Sequence, residues 1–380
     1  MNIEKLSNAL DMKRYLKEMG VDAGGISILC AKAKIHLIAI RDLHVGAANI
    51  LKQDALSVGA DLAVPRGTVI AKEPRVNTLL IASTKALKIL AKKELVQPFG
   101  LKELALELDH LVRVKKPCKT EIMGVINAND DSFFSGSRFT NSDAVARIEK
   151  MIEEGADSID IGAVSSRPNA PLVSASEELA RIKPLLALIK EQRLYEKTSF
   201  SIDSYAPKVI AKAMDAGFTI VNDITGLAND EVCKIAGSNN AQVIIMHMQG
   251  SPQNMQKNPT YNDVINDIYT FFQERISKAE TFGIQDIVLD VGIGFGKTLE
   301  HNLLLLKHLE NFLRLEKKIL VGASRKSMID AIFPAKTEDR LAGTLALHLE
   351  AARNGAAIVR VHDVYEHAQA LQVQNALAKV

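Results

Sequence analysis

Cysteine, long apolar runs and surplus charge are all scarce in this chain. Its three cysteines, Cys30, Cys118 and Cys233, stand far apart in apolar contexts, without the paired spacing that clasps a metal. They read as reduced, mostly buried thiols. No segment sustains the apolar length needed to span a bilayer, and the opening stretch MNIEKLSNALDMKRYLKEMG carries charge throughout, with no apolar secretion core. A soluble, cytoplasmic protein is expected. The 47 Lys and Arg nearly cancel the 45 Asp and Glu, for a net charge of +2. General attraction to nucleic acid or to an anionic membrane is therefore not expected, and any anion must be bound locally. Missing too are a GxGxxG after the first strand, a Walker spacing, and any His-rich or Cys-rich cluster for zinc or iron.

What is there, from about Glu121 onward, is one cycle repeated: a short apolar run, a polar or glycine end, then a longer segment of helical period. The strand-like runs are residues 122–127 (IMGVIN), 157–162, 199–203, 219–224, 242–247, 286–292, 318–324 and 357–363. They are continuously apolar rather than alternating, as strands of a parallel sheet covered by helices should be. Eight such units predict a (β/α)8 TIM barrel over residues 116–380.

Residues 1–115 do not join this rhythm and read as a small α/β N-terminal domain. Helices are expected near MKRYLKEMG, AANILKQDALSVGA and TKALKILAKKELV, and strands at GISILC, KIHLIAI and NTLLIAS. This part shows no catalytic constellation, and an oligomerising or stabilising role is expected of it. His36, Asp42 and His44 cluster near a strand end, where polar residues usually form turns.

In such barrels the chemistry gathers at the C-terminal ends of the strands. The residues collected there are Asn127 with the loop ANDDSFFSGSRF; Asp160, followed by SSRPNAP; Asp203; Asn222 and Asp223; His247; Asp290, followed by GIGFGK; Ser324, Arg325 and Lys326; and Arg360, His362 and Asp363. Asp160, Asp223 and Asp363 fit caps or strand-end ion pairs equally well, and His247 fits a hydrogen-bonded core residue. The rest sort into two chemistries. Asp203, Asn222, Asp290 and Lys326 offer acceptors and donors that can grip the edge of a flat heterocycle, since a carboxylate can take two parallel N–H bonds. Asn127, Arg167, Arg360 and His362 suit a phosphate-type anion, with or without a divalent cation on oxygen ligands.

These motifs resemble the dihydropteroate synthase family of pterin-binding enzymes. The resemblance rests on MGVINANDDSFFSG, DIGAVSSRPNA, SIDSY, VNDITG, MHMQGSPQNMQ with the following NP and Tyr261, LDVGIGFGK, VGASRKS and IVRVHDV, in the family's order over about residues 120–380. It implies condensation of 7,8-dihydropterin pyrophosphate with 4-aminobenzoate, assisted by Mg2+, in a homodimer that is a sulfonamide target. It further implies that Asp203, Asn222, Asp290 and Lys326 read the pterin, with Met246 packing nearby. Asn127 would hold the magnesium, while Arg167, Arg360 and His362 bind phosphate oxygens. Ser166, Pro168, Phe295 and Ser327 would shape the aminobenzoate pocket, and Asp203, Asp290, Lys326 and Arg360 would carry the catalysis. The polar first loop would close over the substrate.

The chain also departs from the family. Ala128, Asn129 and Asp130 replace a common Val-Thr-Pro in the first loop, Val164 replaces a common glutamate, and Ser166 a common threonine. A pterin-dependent methyltransferase or a non-catalytic pterin binder on the same barrel would share the grip of Asp203, Asn222 and Asp290. Neither would need the cations of SSRP, SRKS and RVHD.

Overall fold

The computed structural model describes residues 1–7, 10–127, 141–164 and 173–379. The chain divides into two compact units, Met1–Lys115 with the last residues from Ala376 on, and Lys116–Asn375.

The larger unit is a closed barrel. Its strands are β4 (Glu121–Asn127), β5 (Ser158–Gly162), β6 (Ser199–Asp203), β7 (Ile220–Asp223), β8 (Gln242–Met246), β9 (Ile287–Asp290), β10 (Lys318–Val321) and β11 (Ile358–Val361). They pair in parallel and in sequence order, and β11 closes on β4. All eight fall within or against the apolar runs read from the sequence. Helices such as Ala175–Glu191, Pro207–Asp215, Val264–Thr281 and Leu341–Arg353 cover the outside. Three of these four pass into Gly217, Gly283 or Gly355, each at positive φ, the helix ending that glycine supplies without a Cβ penalty. Met123, Ile220, Ile244, Val288, Leu320 and Ile358 fill the barrel interior, so it is a packed core and not a channel. A second apolar layer lies between strands and helices, around fully buried Phe200, Phe272 and Phe312. Each such ring contributes about 2–3 kcal/mol by leaving water.

The smaller unit is built on a three-stranded antiparallel sheet in the order β1 (Ile35–His44), β3 (Arg75–Ser83), β2 (Asp61–Ala63). Along β3 burial alternates strictly, with Val76, Thr78, Leu80 and Ala82 inward. These pack under the helices Val45–Ser57, Thr84–Glu94 and Leu101–Arg113 through Leu51, Leu87, Leu90 and Leu101. The segment GISILC, expected as a strand, lies instead inside a helix, Ala23–Ala33. Its six-residue apolar run is too short to separate the two periods. The helix formers Ala31, Lys32 and Ala33 extend it past strand length, and its half-buried Ile26 and Cys30 sit four apart on one face. Strand β2 and the helix Leu101–Arg113 were not anticipated from the sequence. Among the described residues no helix is long and apolar enough to cross a membrane.

Candidate active site

The strand register sets the C-terminal rim of the barrel. Asn127 pairs with Gly162, Gly162 with Asp203, and Asp203 with Asn222, which places three polar residues on one level across four adjacent strands. Gly162 leaves room there, because a Cβ would meet the Asp203 side chain at 3.3 Å. On the far side Met246 pairs with Asp290.

Arg360, in β11, ties this rim together. Its Nε donates to Asp160 Oδ2 at 2.6 Å and its Nη2 to Asp203 Oδ2 at 2.8 Å. Asn222 Nδ2 donates to the same Asp160 oxygen at 3.1 Å. Asp160, which the sequence allows as a mere cap, is thus the buried residue that orients both Arg360 and Asn222. Burial opposes the charge on Arg360, but Asp160 and Asp203 outweigh it and hold its pKa above the ordinary value. Asp203 is pushed up to about 7 by burial, against the pull of Arg360 and with the support of nearby Asp160 and Glu178. Asp290 is also raised by burial, with Lys326 pulling it back; its Oδ1 accepts the Gly292 N–H at 2.8 Å.

Lys326 follows β10 and donates to the Ile293 carbonyl, with its ammonium 4.6 Å from the centroid of the Phe295 ring. Burial lowers it to about 8, offset by Asp290. Ser327 heads the short helix Ser327–Ile332 and is exposed. His362 Nδ1 pairs with Ser324 Oγ at 2.8 Å, just beyond β11. Asn127 is half-buried at the end of β4. Ser166, Arg167 and Pro168, and the loop that follows Asn127, lie outside the described residues.

The structural alternatives are occupied as well. Asp223 accepts from the Thr225 N–H and hydroxyl, both at 2.7 Å, and from the Leu227 N–H. Asp363 makes a bidentate pair with Arg325. His247 is buried, edge-on to Phe271, and held well down at about 2 by burial and by Lys297. In the smaller unit His36 pairs with Thr84, Asp42 with Arg75, and His44 caps the helix Val45–Ser57. Each thus has a local partner of its own.

Sequence reasoning missed Lys297. This buried ammonium donates to the Phe295 carbonyl at 2.9 Å, contacts His247 Nδ1 at 3.0 Å and the His247 carbonyl at 3.1 Å, and is lowered by burial to about 7. Its signal was the lysine ending GIGFGK, where the glycines allow close approach. A Cβ on Gly292 would fall 2.0 Å from the His247 carbonyl oxygen.

Among the described residues no three His, Cys, Asp or Glu side chains gather as a metal cage. The rim instead offers the side-chain oxygen of Asn127, half-buried at the end of β4. That donor set fits magnesium, which is commonly held by one or two protein oxygens together with substrate phosphates and water.

Comparison with known proteins agrees with this geometry. The chain is 41% identical over 375 residues to the bifunctional dihydropteroate synthase/dihydropteroate reductase of Helicobacter pylori, covering 99% of each chain. It is 40% identical over 258 residues to the dihydropteroate synthase of Escherichia coli, covering 67% of this chain and 90% of that one. The Yersinia pestis dihydropteroate synthase, solved in a sulfonamide drug complex, superimposes with a TM-score of 0.65 at 37% identity, over 69% of this chain and 95% of that one. The Xanthomonas albilineans enzyme, solved with 4-aminobenzoic acid, gives 0.64 at 36% identity, over 69% and 94%. The profile of the family described as pterin binding enzyme matches residues 123–362, and the chain belongs to that family.

Proposed function

We propose that this chain is a dihydropteroate synthase, joining 7,8-dihydropterin pyrophosphate to 4-aminobenzoate to give 7,8-dihydropteroate and pyrophosphate. The observation that carries the reading is the convergence of Asp203, Asn222, Asp290, Lys326 and Arg360 on one end of a pterin-family barrel. The carboxylates Asp203 and Asp290, with Asn222 and Lys326, take the polar edge of the pterin, and Met246 packs nearby. The bond from the pterin methylene carbon to the pyrophosphate oxygen breaks, leaving positive charge spread into the ring. Buried carboxylates favour that charge as it develops. The aminobenzoate nitrogen then bonds to the methylene carbon and gives up its proton. An arylamine is already neutral at pH 7, so no strong general base is needed.

The departing pyrophosphate is met by Arg360 and His362, with Arg167. Asn127 would hold a magnesium ion, which would supply charge neutralisation for the leaving group. Phe295 and Ser327 are assigned to the second-substrate pocket, and the family resemblance assigns Ser166 and Pro168 to it as well. We further propose that the protein is cytoplasmic and forms a homodimer, which sedimentation velocity would test.

The test of the synthase reading is pyrophosphate release with dihydropterin pyrophosphate and Mg2+, with and without 4-aminobenzoate. Release that requires aminobenzoate, with an equal yield of dihydropteroate, is expected. Pterin binding without release would overturn the reading.

One observation favours a second activity in the same chain. The match to the bifunctional Helicobacter pylori protein takes in residues 1–115, whereas the Escherichia coli synthase covers 67% of this chain. We propose that the full chain also reduces dihydropteroate, a two-electron step that needs a hydride donor. Incubation with dihydropteroate and a reduced nicotinamide or flavin should give a product two hydrogens heavier by mass spectrometry. Unchanged dihydropteroate with both donors would remove this second activity.

A further inference from the structure

The loop that leaves β9 has five consecutive carbonyls, and every one is taken. Gly292 O accepts from the Phe295 N–H at 3.1 Å, and Ile293 O from Lys326. Gly294 O accepts from Gln256 Nε2 at 2.6 Å, Phe295 O from Lys297 at 2.9 Å, and Gly296 O from the Tyr261 hydroxyl at 2.8 Å. A loop with five successive acceptors engaged is held to one backbone path there.

Two of those donors come from the segment between β8 and the helix Val264–Thr281, to which neither proposed activity assigns a part. The segment is itself stitched. Gln249 and Thr260 exchange two hydrogen bonds, at 2.8 and 3.0 Å; Asn254 Oδ1 accepts the Ser251 N–H at 2.7 Å; and Met255 is buried. It also lies backbone to backbone on the β9 loop, because a Cβ on Gly296 would come 2.4 Å from the Gln249 carbonyl oxygen. Tyr261 is seated edge-on against His301, with ring centroids 4.9 Å apart.

We infer that Gln256 and Tyr261 are positioning residues for the second substrate: they fix the backbone on both sides of Phe295, and so the stance of its ring beside Lys326. The inference rests on the synthase reading. The partners of Gln256 and Tyr261 are the Gly294 and Gly296 carbonyls that flank Phe295, whereas the pterin-edge residues meet this loop earlier, Asp290 at the Gly292 N–H and Lys326 at the Ile293 carbonyl. A flat arylamine packed on the Phe295 face would register a shift of a few tenths of an ångström at these two carbonyls more strongly than the pterin grip, whose contacts lie at Gly292 and Ile293.

The test is steady-state kinetics of the full chain with Gln256→Ala, Tyr261→Phe and the double variant, varying each substrate in turn. One lost hydrogen bond is worth about 0.5–1.5 kcal/mol, or roughly 2- to 12-fold. Each single variant is expected to raise the aminobenzoate KM about threefold, and the double variant about tenfold, with the KM for dihydropterin pyrophosphate within about twofold of wild type. A merely structural role would move both constants or the active fraction. Equal rises in both KM values, or none in either, would overturn the inference. Tyr261→Phe keeps the ring and its packing, so it decides the matter should the double variant fail to fold. A wild-type chain without aminobenzoate-dependent pyrophosphate release would remove the synthase reading, and this inference with it.

Discussion

The barrel and the N-terminal unit both bury carboxyl groups, but they treat them differently. In the barrel, Asp160 and Asp203 face Arg360, and Asp290 lies within the influence of Lys326 and Arg360. In the N-terminal unit Glu94 is fully buried beside a second acid, Asp54, with which its protonated form can share a hydrogen bond. Burial, reinforced by Asp54, pushes Glu94 up to about 7. Asp160 and Asp203 are compensated by Arg360 at the strand-end rim, whereas Glu94 is buried beside another acid and is a local cost. The contrast teaches that burial of an acid marks function only where cations converge on it.

The strongest way to break that contrast is to remove a barrel partner. Lys326→Ala or Asp203→Asn should cut turnover by about a thousandfold or more with the far-ultraviolet circular dichroism unchanged. Near-normal turnover in either variant would withdraw the pterin-site assignment.

Glycine substitution sharpens the comparison at a smaller scale. Gly292 and Gly59 both stand at positive φ, but only Gly292 has a neighbour in the way: the His247 carbonyl oxygen at 2.0 Å, against nothing within 4 Å of Gly59. Gly59→Ala should cost only the left-handed penalty, about 1–2 kcal/mol. Gly292→Ala must also displace backbone and should cost about 3 kcal/mol or more in urea titrations. Equal costs would show that the β9 loop yields more readily than its hydrogen bonds imply.

The smallest effect concerns pH. The folded-state pKa of Glu94 lies above its unfolded value, so the folded unit binds the extra proton between about 4.5 and about 7. Its contribution is fully present below that window and is lost as pH rises through about 7. Hydrogen exchange along Thr84–Glu94 should therefore quicken from pH 5 to pH 8, beyond the intrinsic exchange-rate change. Glu94→Gln should abolish that excess. An excess that persists in the variant would place its source elsewhere.

Much of the barrel was legible because its rules are local. A buried parallel strand is a continuous apolar run, its helix follows at a period of 3.6, and the polar residues that end the runs at Asp203, Asn222 and Asp290 collect on one rim by topology alone. GISILC was misread because six apolar residues satisfy both periods, and the choice of helix was made by flanking residues and packing. Asp160 was left open as a cap or ion-pair residue because one aspartate at a strand end looks like another. Only when β11 lies beside β4 does Arg360 come within 2.6 Å of it.

By itself, then, the sequence determined the eight-unit alternation, the rim residues and the family motifs, all properties that neighbours along the chain or a fixed strand-end rule can specify. The tertiary structure alone decided which carboxylates share Arg360, that Lys297 is a buried brace and not a phosphate-loop cation, and that Gln256 and Tyr261 hold the carbonyls flanking Phe295. Those pairings join residues from 2 to 200 positions apart. Hydrogen bonds act over about 3 Å of space, and chain spacing carries no measure of that distance until the fold closes.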